Sequence, residues 1–310
     1  MNTLPAIKAA TVPDKRNPAT IYLASLAPSG RRAIKSRLKS IATMFSCPFD
    51  SMPWHELRYE HMEAIRASLQ DTELAPSTIN MTLYALRGVA KSAFNLGLMS
   101  ADHYTRLCNV KPVRGERVPV GRALSVGEIG ALLDTCAGTS IGIRNAAIIS
   151  IMYACGLRRD EIVSLSLGHY NAETGELKVR GKGNKERLLY VDNGALDALN
   201  DWLTTRGDHD GALFNPIWKS GKIQDRQMTS QAIYELLLNH AKQAGIARFS
   251  PHDLRRSFIS ELLDLGADIV TVQQLAGHAS VQTTANYDRR GERAKKKAIG
   301  LLHVPYTKRL

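Results

Sequence analysis

The sequence predicts a mainly α-helical protein with one small β-sheet, divided into two domains. Its 310 residues exceed the roughly 100–200 residues of a typical single domain. Apolar residues recur at three- and four-residue spacing through long stretches of the chain, which is the helical period. The period shortens towards two, typical of half-buried strands, at residues 176–180 and 187–191.

A first, helical domain is predicted at residues 18–110, behind an N-terminal extension of residues 1–17. Four or five helices are expected, with breaks at the Pro-containing segments 28–30, 47–53 and 75–77. Ser77 is predicted to cap the helix that follows it. Helical spacing is carried by Ile34, Leu38, Ile41 and Phe45, and again by Ile79, Leu83, Leu86, Val89 and Phe94.

Residues 111–122 are basic, rich in Pro and Gly and without helical period, which predicts an interdomain linker. A second domain is predicted at residues 123–288. Its first helix is capped by Ser125, because Glu128 stands three positions on, the spacing of a capping box. A further helix is expected from Ile143 to Cys155.

The second domain also contains the predicted β-hairpin. Its strands are Glu176–Arg180 and Arg187–Val191, and the intervening Gly181-Lys182-Gly183-Asn184 predicts a turn that carries a lysine. Helical patterns return at Gly194–Thr205, Ser230–Ala244 and Pro251–Leu265. Residues 289–310 are a basic tail.

The charge of the chain indicates a polyanionic partner. Lys and Arg number 41 against 29 Asp and Glu, a formal net charge of +12. No apolar run has the length of a membrane span and no signal peptide is recognisable, so no membrane partner is expected. The four cysteines are widely separated and form no CxxC pair, which favours reduced thiols and a cytoplasmic protein.

Several common catalytic motifs are missing from the sequence. It contains no phosphate-binding loop with Gly-Lys-Ser/Thr, no Gly-x-Gly-x-x-Gly after a strand and no His-Glu-x-x-His. The segment 208–210, Asp-His-Asp, lacks a second cluster of metal ligands. No metal site is therefore predicted.

Residues suited to phosphate chemistry stand at several boundaries between predicted elements. They are Arg158, Lys182, His252, Arg255, His278 and Tyr287. In this order they resemble the motifs of the tyrosine recombinases, the phage-integrase and Xer-type DNA strand-exchange enzymes. The resemblance runs from about Leu124 through Tyr287. It implies a helical core-binding domain at residues 18–110, followed by an α+β catalytic domain.

The resemblance implies a role for each residue of the first two motifs. Arg158 corresponds to the first catalytic arginine and Glu161 to the acid that helps to hold it, although such a pair is often a simple surface salt bridge. Lys182 in the hairpin turn corresponds to the general acid that protonates the departing 5′-oxygen. Lys185 is an alternative, and a solvated turn lysine has the same appearance in sequence.

The remaining motifs lie near the end of the second domain. His252 and Arg255 are three residues apart, so at the start of one helix they share a face and can address one phosphate. Arg256 stands where the family usually has His or another residue. His278 lies nine residues before Tyr287, which is the family interval. The resemblance implies Tyr287 as nucleophile, His252 as its general base and His278 as a hydrogen-bond donor to the phosphate.

This set of residues explains why no cofactor is expected. Attack by a tyrosine oxygen on a phosphodiester builds negative charge on the phosphorus oxygens, which two arginines and histidine donors stabilise electrostatically. The covalent 3′-phosphotyrosine conserves the energy of the broken bond. A second 5′-hydroxyl can therefore reverse the step without ATP.

The partner implied by the family is double-stranded DNA carrying recombination sites, bound by a homotetramer on two sites and by a monomer or weak oligomer when free. The helices that begin near Ser77 and Thr229 are expected to enter the major groove. In the tail, Ile299, Leu301 and Leu302 are expected to dock on a neighbouring protomer, the alternative being a purely electrostatic arm. Predicted DNA contacts are Arg87, Lys91, Arg114, Arg117, Arg122, Arg159, Lys185 and Arg256.

Two other functions share part of this sequence pattern. A type IB topoisomerase uses similar tyrosine chemistry but relaxes supercoils as a monomer, whereas a non-catalytic DNA-binding regulator needs only the basic surface. The sequence specifies neither the DNA target nor the task, which ranges over integration, excision and resolution of mobile elements or replicons.

Overall fold

The computed structural model describes residues 17–115, 121–181, 183–288, 291, 296, 299–303 and 305–306. The chain divides into two compact units, Met1–Pro119 and Val120–Leu310. This boundary falls within the segment predicted as linker. Of the predicted site residues, Arg117 and Lys182 lie outside the described ones, as does much of the tail.

Within residues 17–115, the first unit is helical. A short 3₁₀ turn, Trp54–Glu56, lies between its second and third helices. The α-helices are α1 (Pro18–Ser25), α2 (Pro28–Met44), α3 (Tyr59–Gln70), α4 (Pro76–Asn95) and α5 (Ala101–Cys108). The prediction that Ser77 caps α4 is wrong, because Ala75 is the N-cap and Pro76 is the first helical residue. Proline suits that position, since its missing N–H would have no partner there.

Helix α4 is the centre of the first unit and packs against the other four helices. Its apolar face buries Leu83, Leu86 and Val89 completely. Gly88 allows the close approach of α1, because a Cβ at this position would lie 2.3 Å from the ring of Tyr22. Burial of these apolar side chains against the neighbouring helices holds the unit together.

The second unit contains the predicted mixture of helices and one small sheet. Its helices are α6 (Val126–Asp134), α7 (Ser140–Ala154), α8 (Arg159–Val163), α9 (Asn193–Arg206), α10 (Ser230–Gln243), α11 (Pro251–Asp264), α12 (Ile269–Ala276) and α13 (Val281–Ala285). Its strands are β1 (Glu176–Arg180) and β2 (Glu186–Tyr190). The predicted fold class, mainly helical with a small β-sheet, is confirmed.

Helix α7 runs through the core of this unit, and Ile148, Ile149 and Ile151 are fully buried on different sides of it. It begins three residues before the predicted start. The reason is Thr139, whose hydroxyl accepts a hydrogen bond from the backbone N–H of Gly142 at 3.2 Å. The predicted capping box of Ser125 and Glu128 is present at the start of α6.

Strands β1 and β2 form an antiparallel hairpin in which Val179 pairs with Arg187. The second strand begins one residue before its predicted start, because Glu186 pairs with Arg180. Leu177, Val179 and Leu189 face inwards and are buried, in keeping with the alternation of a strand.

In the part of the chain that the structure describes, no helix combines the length and the apolar character needed to cross a bilayer. All four cysteines are described and carry free thiols. Cys47 and Cys155 are buried, and Cys108 and Cys136 are half-buried.

Candidate active site

Arg158 is held at the start of α8 by its own local structure. Its backbone N–H donates to Glu161 Oε2 at 3.0 Å, and its guanidinium Nη1 donates to Oε1 at 2.7 Å. The preceding turn is tight, since Gly156 has a φ of 58° and a Cβ there would lie 2.3 Å from Phe258. The Arg158 side chain remains 39% exposed. The Arg158 side chain is therefore held by Glu161 and remains accessible to a ligand.

Glu161 is shared between Arg158 and a second arginine, Arg187, that the sequence analysis missed. The Glu161 side chain is 4% exposed, and Arg187 donates to its two oxygens at 3.1 and 2.8 Å. Burial raises the pKa of Glu161, but the hydrogen bonds and charge of Arg187, followed by those of Arg158, outweigh burial and lower it. The buried carboxylate is ionised and anchors both guanidinium groups.

Arg187 also connects β2 to the end of α12, because its Nε donates to the carbonyl of Leu275 at 2.9 Å. A signal for this residue was present in the sequence. Arg187 stands two positions before the buried Leu189, on the inward face of the strand. A charged residue at such a position needs a buried partner. In the folded protein that partner is Glu161.

Helix α11 begins with a capping box that the sequence analysis did not single out. Asp253 Oδ2 accepts hydrogen bonds from the backbone N–H and the hydroxyl of Ser250, at 2.8 and 2.9 Å. Pro251 is the first helical residue. This start places His252 and Arg255 in the first turns of the helix, as their spacing predicts.

Arg255 is only 1% exposed and is fixed by backbone carbonyls. Its Nη1 donates to the carbonyl of Gly156 at 2.8 Å, and its Nη2 donates to the carbonyl of Ala276. Burial, followed by the charge of Arg158, lowers the pKa of Arg255 to about 10. The group is still protonated near neutral pH, so it supplies a buried positive charge without a carboxylate of its own.

His278 follows the left-handed Gly277, φ 63°, which ends α12. Its Nδ1 lies 2.9 Å from the hydroxyl of the fully buried Thr284, a partner that sequence reasoning did not identify. Burial, then the charges of Arg255 and Arg158, lower the pKa of His278 to about 4. A neutral His278 that accepts the Thr284 hydroxyl proton at Nδ1 carries its own proton on Nε2, where it can donate.

Tyr287 stands two residues beyond the end of α13. Its hydroxyl lies 3.0 Å from His252 Nε2, and its ring stacks on His278 with centroids 6.0 Å apart and planes inclined by 18°. Burial, then the charges of Arg255 and Arg256, lower the pKa of His252. His252 is therefore neutral near pH 7 and can accept a proton from the hydroxyl.

Two cavities open on this group of residues, and Arg158 lines both. One, of about 360 Å³, is lined on its other sides by Arg159, Tyr234, His252 and Arg255. The other, of about 570 Å³, reaches from Arg158 to Arg187, Lys185 and His278. The structure thus brings Arg158, Glu161, His252, Arg255, His278 and Tyr287 together, with Lys185 on the rim.

The described residues among the predicted DNA contacts form two groups. Some side chains are exposed, and others contact the rest of the protein. Lys91, Arg114, Arg159 and Lys185 are exposed. Three others make contacts within the protein. Arg87 donates to the carbonyl of Val110, Arg122 pairs with Glu128 at 2.7 Å and donates to Ala247, and Arg256 lies over Tyr287 beside Asp253.

The residues that the structure describes contain no group of three or more His, Cys, Asp and Glu side chains placed to hold a metal ion. This includes the segment 208–210.

The comparisons with known proteins agree on one family. The model of the phage integrase family matches residues 122–293. The tyrosine recombinase XerC of Alcanivorax borkumensis is 36% identical over 76% of this chain and 76% of its own length. The XerC of Shewanella amazonensis is 29% identical over 86% of this chain and 88% of its own length.

Solved structures agree on the fold. A XerH site-specific recombinase bound to a palindromic difH substrate superposes with a TM-score of 0.64 and 21% identity, covering 88% of this chain and 80% of that chain. A lambda integrase dimer bound to a core site gives a TM-score of 0.65 and 15% identity, covering 94% of this chain and 96% of that chain. The predicted resemblance to the tyrosine recombinases is confirmed. The chain belongs to the phage integrase family.

Proposed function

We propose that this protein is a site-specific DNA recombinase that cleaves and rejoins strands through a covalent bond between Tyr287 and DNA. The observation that carries the proposal is the 3.0 Å contact of the Tyr287 hydroxyl with His252 Nε2, beside Arg158 and Arg255. The relatives are named tyrosine recombinases, and the solved neighbours include recombinases bound to DNA.

The attacking step uses the neutral His252. As the Tyr287 oxygen forms its bond to phosphorus, its proton passes to His252 Nε2. The lowered pKa of His252, caused first by burial, keeps the base form present at neutral pH. The imidazolium that results returns the proton to the tyrosine oxygen when the reaction reverses.

The phosphate is stabilised by charge that the fold has placed in advance. Arg158 and Arg255 supply two guanidinium groups, and His278 supplies an Nε2–H donor. Negative charge grows on the nonbridging oxygens during attack, so donors already in position stabilise the transition state more than the ground state. Glu161 and Arg187 act behind Arg158 by fixing its orientation.

The departing strand requires one more proton. When the bond between phosphorus and the 5′-oxygen breaks, Lys182 donates a proton to that oxygen, and Lys185 on the cavity rim is the alternative donor. The 3′-phosphotyrosine then holds the strand until the 5′-hydroxyl of a second strand attacks and releases Tyr287. Bonds broken and formed balance, so no ATP is consumed.

DNA binding draws on the exposed basic side chains Lys91, Arg114, Arg159 and Lys185. Contacts of this kind release counterions from the phosphates, so affinity should fall steeply as salt rises. Base recognition is assigned to α4 and α10, which begin next to Ser77 and Thr229. The predicted domains keep their roles in this proposal, core-binding at residues 18–110 and catalytic at residues 123–288.

We assign the active form to a homotetramer on two sites, coupled through the tail. Ile299, Leu301 and Leu302 are 69%, 81% and 73% exposed and gather apolar surface next to basic residues. Docking of this segment on a neighbouring protomer would bury it. An Ile299→Asp/Leu302→Asp double variant should bind one site normally and fail to assemble two. Recombination at the parental rate would instead leave the tail as an electrostatic arm.

An assay with paired sites separates the proposed function from its alternatives. Recombinant products from supercoiled DNA with two sites identify a recombinase, and their arrangement decides between excision or resolution and integration. Relaxation of DNA without sites identifies a type IB topoisomerase. Binding without any covalent adduct identifies a regulator. The recombinant products are the expected result.

A further inference from the structure

Arg256 is largely buried, although arginine side chains are mostly exposed in proteins. Its side chain is 11% exposed, and its guanidinium carbon lies 5.2 Å from the centroid of the Tyr287 ring. A guanidinium at this distance over an aromatic face is attracted by the ring electrons. The contact joins α11 to the segment that carries the nucleophile, independently of His252.

Arg256 contacts the Tyr287 ring although one of its own hydrogen-bond donors has no partner. Its Nε lies 3.6 Å from Asp253 Oδ1, too far for a hydrogen bond, and is buried with no hydrogen-bond partner among the described residues. An unpaired buried donor costs free energy, so such a group calls for an explanation. The contact with the Tyr287 ring supplies one, because attraction between the guanidinium and the ring electrons compensates for the unpaired donor.

We propose that Arg256 is a positioning residue that holds the Tyr287 ring for attack and offsets the negative charge that develops on its oxygen. This inference rests on the proposed function. As the proton of Tyr287 passes to His252 Nε2, electron density on the oxygen spreads into the ring until the bond to phosphorus is complete. A fixed positive charge over the ring stabilises that density, and Arg256 itself neither gains nor loses a proton.

The anchor of Arg256 reaches the end of the segment predicted as linker. Asp253 Oδ1, which faces Arg256, also accepts the backbone N–H of Arg122 at 3.1 Å. Gly121 has a φ of 141°, and a Cβ there would lie 2.6 Å from Asp253 Oδ1 and 3.1 Å from Arg256 Nη2. A Gly121→Ala substitution should therefore disturb the same contact without changing any charged group.

The test compares Arg256→Met, which keeps the apolar stem, with Arg256→Lys, which keeps the charge. The matched control is Arg66→Met, since Arg66 also forms an ion pair with an acid three residues away, Glu63, in the first unit. Affinity for one site is measured by equilibrium titration with an intact duplex, and single-turnover adduct formation is measured at saturating concentrations of a nicked DNA substrate that traps the adduct. The third readout is the ¹⁹F resonance of 3-fluorotyrosine at position 287, assigned by its loss in Tyr287→Phe.

Arg256→Met should slow adduct formation by about 10-fold while leaving DNA affinity within about 2-fold, and Arg256→Lys should recover most of the rate. The ¹⁹F resonance should move in Arg256→Met and Gly121→Ala and stay in place in Arg66→Met. An unchanged rate and resonance in Arg256→Met overturn the proposal, as does an equal loss of affinity and rate that lysine does not restore. If the parent protein forms no adduct, the proposed function fails, while the resonance still decides whether Arg256 positions the ring.

Discussion

The two sides of the active site are held by different kinds of contact. On the phosphate-binding side, Arg158, Glu161, Arg187 and Arg255 are fixed by ion pairs and by bonds to backbone carbonyls, and three of the four are largely buried. On the attacking side, the Tyr287 side chain is held by ring contacts and by a hydrogen bond to the partly exposed His252.

This difference indicates how the fold divides its work. Charge that stabilises a transition state is most effective when it is fixed before the substrate arrives, and that requires a buried, hydrogen-bonded network. The nucleophile is converted from a hydroxyl to a phosphate ester and back during the reaction. It is therefore better held by contacts that persist through this chemical change. Substitutions on the phosphate-binding side should therefore affect folding and cleavage together, whereas those on the attacking side should affect cleavage alone.

The largest effect is expected for the general acid. Lys182→Ala should slow cleavage of ordinary DNA by about 10²–10⁴-fold, the range for loss of a general acid. A substrate whose 5′-oxygen is replaced by sulfur has a leaving group that needs no proton, so the variant should cleave it nearly as fast as the parent. Failure of sulfur to restore cleavage would mean that Lys182 has another role or that Lys185 is the acid, and the same pair of substrates tests a Lys185→Ala variant.

The next largest effect separates the two sides directly. Arg255→Lys keeps the charge but loses the two-armed contact with Gly156 and Ala276, so cleavage should fall by about 10²–10³-fold and the thermal midpoint should fall as well. His252→Gln should slow cleavage without lowering the thermal midpoint. Cleavage and thermal unfolding of both variants are measured in parallel. Equal midpoints for the two would remove the distinction between the sides.

The Glu161 and Arg187 pair should show strong coupling in unfolding. Removing one partner of a buried ion pair leaves the other charge uncompensated, at a cost of about 3–5 kcal/mol. Arg187→Met and Glu161→Gln should each destabilise strongly, and the double variant should be less destabilised than the sum. Urea unfolding of the four proteins gives the coupling. Additive single effects would contradict the role assigned to Arg187.

The sequence was sufficient to predict the fold class and several helix ends of the second domain, because capping and periodicity are local. The box of Ser125 and Glu128 illustrates this. The prediction of Ser77 as the N-cap of α4 was wrong because Pro76 takes the first helical position. Residue preferences alone do not decide whether the helix begins at the proline or after the serine. Arg187 was missed because its partner lies in α8, a contact between distant parts of the chain that periodicity does not encode.

The site was less completely predictable for the same reason. The spacing of His252 and Arg255 predicts a shared helix face, but it does not show that Arg255 is buried against Gly156 and Ala276 while His252 stays partly exposed. The sequence also gives no sign that Arg256 lies over the Tyr287 ring, because that contact depends on the folded path of the chain after α13. Local sequence patterns therefore predicted which residues belong to the site. The burial and partners of those residues depend on tertiary contacts, which only the structure shows.

The smallest effect concerns pH and distinguishes the two histidines. Because the pKa of His252 is lowered by burial, its neutral form persists below pH 6.5, and cleavage should be constant above its pKa and fall about tenfold per unit below it. His278, with a pKa of about 4, stays neutral across this range. His252→Gln should abolish the acidic limb of a single-turnover pH profile. An unchanged limb in that variant would assign the titration to another group.

The central claim is that Tyr287 becomes covalently joined to DNA at a site whose charge is already in place. The direct measurement uses a nicked DNA substrate that traps the adduct, followed by denaturing electrophoresis and mass spectrometry of the linked peptide. The account predicts an adduct at Tyr287 in the parent protein and none in Tyr287→Phe, which should bind the same DNA with unchanged affinity. An adduct of equal yield in Tyr287→Phe, or a link mapped to a different residue, would contradict it.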